Sequence, residues 1–96
     1  MSNTTNYWSE VDSLLLEVVS NELLKIRSLA YQGETRKIAV VADHLHNIPT
    51  ILATHDPAML RTYLFSEVPL YKSRDIHAAH LDMQWRRLSE LLQHLQ

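Results

Sequence analysis

Between Trp8 and Tyr31 the apolar residues Val11, Leu15, Val18, Val19, Ile26, Leu29 and Ala30 follow the spacing of one helical face. Leu14, Leu16, Leu23 and Leu24 widen that stripe, leaving a narrow polar strip of Ser13, Glu17, Ser20, Asn21 and Ser28. A helix this apolar in so short a chain offers more surface than its own neighbours can cover. A second face is therefore expected to pack against another subunit. Ser9 reads as the N-cap, with Asp12 as an approximate capping-box partner and Glu10 placed to favour the helix dipole. Residues 1–6, small and polar, read as disordered.

Gln32 and Gly33 end this helix, because glycine takes the left-handed C′ conformation without steric cost. In the next segment Ile38, Val41, Ala42, Leu45 and Ile48 form a second stripe, with Arg36, Lys37, Asp43, His46 and Asn47 on or near the wet side. Pro49 ends or kinks that helix at Ile48. Thr50 to Thr54 is a connector or one more helical turn. Asp56-Pro57 is a helix start, and Met59, Leu60, Tyr63 and Leu64 give a short third helix reaching Glu67. Val68 to Ser73 reads as a loop, with Ser73 or Asp75 capping a last helix whose apolar face is Leu81, Trp85, Leu88, Leu92 and Leu95. The pattern predicts an all-α chain: a small antiparallel bundle of two long and one or two short helices, completed by oligomerisation.

Composition supports a single helical domain over 1–96: 46% of residues are hydrophobic and 21% charged, with one glycine and three prolines. The absence of cysteine removes disulfides, thiolate metal sites and a cysteine nucleophile. The N-terminus lacks the pattern of a signal peptide, and the longest apolar run, Leu14–Leu16, is far too short for a bilayer. A soluble, cytoplasmic protein without a membrane partner is expected. A formal charge of −2 argues against duplex nucleic acid but leaves room for a compact anion met by local cations.

The stretch VADHLHNIP, Val41 to Pro49, gathers an acid, two histidines and an asparagine. With His77-x-x-His80 on one helical face and Asp75 and Asp82 nearby, it raises the question of a metal. Zinc and di-metal sites need three or four converging ligands, H-E-x-x-H is absent, and no metal or cofactor is expected. Nor is there a nucleophile elbow, a phosphate-cradling glycine loop or a clustered carboxylate set for magnesium, so no catalytic residue is assigned and no enzyme is expected. Ligand reading without chemistry fits better. Trp8 and Tyr31, at opposite ends of the first helix, are platforms on which bases could stack, while Arg36 and Lys37 at the second helix's start could meet phosphates. His46 and Asn47 either cap local backbone or line a pocket between subunits.

Tyr31-Gln32-Gly33-Glu34, then Ala42 to Pro49, then Asp75-Ile76-His77 through Gln84-Trp85-Arg86-Arg87-Leu88 resemble the small helical phage proteins that inhibit CBASS defence by sequestering its cyclic oligonucleotide signals. The resemblance runs in short pieces over about half of the chain. It implies an all-helical oligomer, a hexamer in that family, that binds cyclic dinucleotides, and in some members trinucleotides, without cutting them. It further implies a pocket in which bases stack on Tyr31 or Trp8, and Arg36, Lys37 and His46 of neighbouring subunits contact phosphates, with Asn47 at its edge. The family's binding tyrosine and lysine do not align to single positions here, and His46 stands where a cation could sit. The rival expectation is a helical inhibitor or immunity protein acting on a protein partner, with exposed Tyr and Trp as anchors.

Overall fold

The computed structural model describes residues 3–96, with side chains from residue 6 onward, and every element in it is helical. Helix α1 runs from Asn3 to Tyr31, α2 from Thr35 to Leu45, α3 from Ile48 to Thr54 and α4 from Pro57 to Thr62. A π-helical turn, Tyr63–Glu67, carries the chain into α5, Val68–Lys72. A 3₁₀ turn at Ala79–Leu81 leads into α6, Asp82–Leu95.

α1 is the spine, and α2 and α6 pack against it. It extends six residues beyond the Ser9 start, because Tyr7 stacks on His94 with ring centroids 4.6 Å apart and Trp8 is buried. Ser9 is thus a mid-helix residue, and Asp12 binds His55 at 2.9 Å instead of closing a capping box. Residues 1 and 2 lie outside the described residues, whereas 3–6 belong to α1.

The other end of α1 closes as expected. Gly33 has φ of 73°, and Glu34 N–H and Gly33 N–H donate to the carbonyls of Leu29 at 2.9 Å and Ala30 at 3.1 Å. These are the paired 6→1 and 5→2 bonds of a Schellman stop. Asp56 caps α4, accepting from Ala58 N–H at 2.9 Å, with Pro57 at the first helical position.

In the middle of the chain the structure departs from the sequence pattern. The helix ending at Leu45 restarts at Ile48, and Pro49 sits in the first turn of α3, where its missing N–H costs nothing. Val68–Ser73 is not a loop: Val68 N–H reaches back to Tyr63 C=O, and this wider i−5 turn lets Pro69 enter a helical path that continues through α5. Neither Ser73 nor Asp75 caps α6, which begins only at Asp82. His77 and His80 do not share a helix; their rings stand 6.3 Å apart in the approach to it.

One core runs through these elements: Val11, Leu15 and Val18 of α1, Val41 of α2, Ile48 and Ile51 of α3, Leu60 and Tyr63, and Leu88, Leu91 and Leu92 of α6 are all buried. No described helix is long and apolar enough to cross a membrane.

Candidate functional site

The polar centre of the molecule is built on two positions inside apolar stripes. Glu22 falls four residues after Val18 and seven after Leu15, so α1 carries its carboxylate into the core with no exposed surface. His44 follows Val40 and Val41 by one turn and is likewise buried. The inward face of α2 is therefore Val40, Val41 and His44, and Ala42, placed on that face by the sequence pattern, is exposed.

A buried carboxylate persists only with partners. Glu22 accepts from the Tyr71 hydroxyl, binds His80 Nε2 at 3.0 Å and pairs with Lys25 Nζ at 3.6 Å. Lys25 also donates to the His77 carbonyl and lies 5.9 Å from the centre of the Tyr71 ring. Burial presses the lysine below its ordinary pKa, and the Glu22 charge pulls the other way. Burial and the Glu22 bond both raise the Tyr71 phenol, fixing it as a donor.

His44 stacks on Tyr71 with centroids 4.1 Å apart and meets the edge of Trp85 at 5.8 Å. Trp85 Nε1–H donates to the Tyr63 oxygen at 2.9 Å, and that hydroxyl faces His44 Nε2 at 3.3 Å. The Tyr63 hydroxyl, accepting from the indole, is in reach of Nε2, while His44 Nδ1 is buried with no partner. Burial first, and the nearby Lys25 charge second, hold His44 neutral with a pKa of about 4.

Lys25 links this centre to the surface. It forms one wall of an open cleft of about 260 Å³ with Ser28, Leu29 and Gln32 of α1, Lys37 of α2, and Asp75, Ile76 and His77. Tyr31, at the last turn of α1 and next to Gln32 in the chain, is 87% exposed. Arg27, Arg36 and Lys37 near the same corner form no ion pair among the described residues. A smaller cavity of about 100 Å³, lined by Val40, Asp43, His44, Glu67, Leu70, Tyr71 and Arg74, lies further along α2.

No family model, curated protein or solved structure matches this chain.

Of the six residues expected to form a ligand site, Tyr31, Arg36 and Lys37 share the α1–α2 corner. Trp8 does not join them: it is only 7% exposed, its ring stacked on His55 at 4.6 Å, and it lies 23 residues along α1, roughly 35 Å away at 1.5 Å per residue. His46 and Asn47 close the other end of α2, about 15 Å from Arg36 on the same rise. His46 is exposed there, while half-buried Asn47 donates to Glu67 at 2.9 Å and makes no side-chain cap. Within one protomer the expected six thus divide into three places. Among the described residues no group of three or more metal-binding side chains converges.

Sequence reasoning missed Glu22, His44 and Tyr71. The first two carried a legible signal, a titratable side chain at stripe spacing. Tyr71 was hidden by the loop reading of Val68–Ser73.

Proposed function

We propose that this protein binds a cyclic oligonucleotide at the α1–α2 corner and sequesters it intact as a homo-oligomer, withholding a CBASS signal from its effector. The observation that carries the proposal is the corner itself: a bare tyrosine ring, cations without carboxylate partners, and a cleft beside them. Tyr31 offers a stacking face, which any base can use. Arg36 and Lys37 are the phosphate contacts, and Arg36 can hold two oxygens at once. Gln32, Ser28 and the His77 ring add hydrogen-bonding groups around the cleft.

Size sets a further condition. Drug-sized ligands occupy pockets of about 300–1,000 Å³, and a cleft of about 260 Å³ falls below that range. One corner therefore accommodates one nucleotide unit, and a cyclic dinucleotide is shared between corners of two subunits. Two like halves of the ligand then meet two like groups of residues, as two-fold symmetry requires.

Thermal shift with cyclic di- and trinucleotides, their linear forms and mononucleotides tests the proposal, followed by chromatography of the mixture. The expected result is a large stabilisation by a cyclic form, which is then recovered uncut. Tyr31→Ala and Lys37→Ala should each weaken binding about tenfold or more without changing the fold, in line with stacking energies of roughly 1–3 kcal/mol per base. No shift with any nucleotide overturns the proposal, and turnover of the ligand replaces it with an enzyme. The alternative of an inhibitor acting on a protein partner draws support from the exposed apolar residues of α1.

A further inference from the structure

Three large leucines of α1 turn outward: Leu16, Leu23 and Leu24 are 55%, 55% and 53% exposed. They lie on an outward stripe made of lines of residues seven apart. Ser13, Ser20 and Arg27 occupy one line, Leu16, Leu23 and Ala30 a second, and Glu17, Leu24 and Tyr31 a flanking third, all exposed. Residues seven apart stay on one side of a helix over successive turns, so the leucines share one stripe with the small residues between them. This stripe faces away from the core face of Val11, Leu15, Val18 and Glu22, and covers about 27 Å of helix from Ser13 to Tyr31.

We infer that this face is the seam of an antiparallel two-fold dimer with a second copy of this chain. The occupant follows from self-complementarity. Small and large residues alternate along the stripe so that, when two copies run antiparallel about a point near Glu22, Ser20 lies opposite Leu23 and Leu24 of the partner subunit. Ser13 then lies opposite Ala30 of the partner subunit, and Tyr31 stays at the open edge of the seam. Leucine thus meets serine on both sides of the two-fold point, which lets the two helices close to within packing distance there.

Charge fixes the direction. In a parallel pair Arg27 would stand at the same level as Arg27 of the partner subunit, and like charges at that range repel. In the antiparallel pair Arg27 reaches Glu17 of the partner subunit. Arg27 has no ion pair among the described residues, and exposed Glu17 is met only by the Gln84 amide at 3.3 Å. The seam deepens the homo-oligomer part of the proposed function and is independent of the ligand.

Sedimentation or light scattering, with and without Leu23→Glu, tests the seam. Wild type is expected as a dimer or a larger even-numbered assembly, and Leu23→Glu as a species with half the subunits or fewer and an unchanged helical circular dichroism spectrum. Arg27→Glu should weaken association, and adding Glu17→Arg to it should restore it. The chain has no cysteine, so direction can be read by oxidation: Ser13→Cys mixed with Ala30→Cys should cross-link, while Ser13→Cys alone should not, its two copies lying about 27 Å apart. A monomeric wild type overturns the seam, as does assembly indifferent to Leu23→Glu. Cross-linking of Ser13→Cys with itself overturns the antiparallel direction. Neither outcome touches the nucleotide thermal shift, so failure of the seam and failure of the ligand assignment are separable.

Discussion

Glu22 has no surface of its own, yet four side chains on four elements depend on it or face it: Lys25, Tyr71, His80 and, through Tyr71, His44. Removing one member of a buried ion pair leaves the others desolvated without compensation, a loss of several kcal/mol. Glu22→Ala is therefore expected to destabilise the fold by about 3 kcal/mol, measured as a lower urea midpoint. Glu22→Gln, which keeps an acceptor for Tyr71, should cost less. His44 makes a second residue-scale prediction. Its folded pKa of about 4 lies below the ordinary 6.5, so the unfolded chain binds its proton first as pH falls. Its contribution is fully present above about pH 6.5, drains away between about 6.5 and 4, and is level below, up to about 3 kcal/mol in all. His44→Gln should flatten the stability profile across that window in pH-dependent urea titrations. Both residues were legible as positions in a stripe. Neither was legible as a network, since their partners Tyr71 and His80 lie 49 and 58 residues from Glu22 in sequence.

At the scale of elements, local signals were read well wherever backbone geometry alone decides. Gly33 is one such place: a Cβ there would meet nothing within 4 Å, so the whole penalty of a substitution comes from φ of 73°. Gly33→Ala is expected to cost about 1 kcal/mol, seen as a lower melting temperature with no change in helical content. Asp56 and Pro57 are another such place. The signals misled where tertiary contact outweighs them. Tyr7 and Trp8 extend α1 past Ser9 by packing on His94 and His55. The π turn at Tyr63–Glu67 absorbs Pro69 while keeping Tyr63 and Tyr71 buried on either side. Periodicity cannot register a turn that gains one residue, because the gain rotates every later side chain relative to those before it.

Across the whole molecule, the spine of α1 gives a body of about 50 × 21 × 20 Å, long enough to keep different tasks apart. The α1–α2 corner lies at one end, the Trp8–His55 contact near the other, and the leucine stripe along the outside between them. The excess of apolar residues on α1 was legible in the sequence, and the stripe is where that excess goes. The corner was only half legible: Tyr31, Arg36 and Lys37 are neighbours in sequence, whereas Lys25, Asp75 and His77 reach it through the fold. An antiparallel seam on the outer face of α1 sets the two corners of a dimer at opposite ends. A ligand shared between corners would then connect one dimer to the next.

The placement of the two tryptophans bears on how such events can be observed. Trp8 lies against the His55 imidazole, itself 2.9 Å from Asp12, and Trp85 is hydrogen-bonded to Tyr63 under the Lys72 ammonium, 5.1 Å from its ring. Indole fluorescence responds to its immediate surroundings, so the first reports packing at the far end of α1 and the second reports the integrity of the core. Neither lines the corner beside Tyr31. Intrinsic emission therefore follows folding and the far end of the spine, while occupancy of the corner stays optically dark unless it reorganises the assembly.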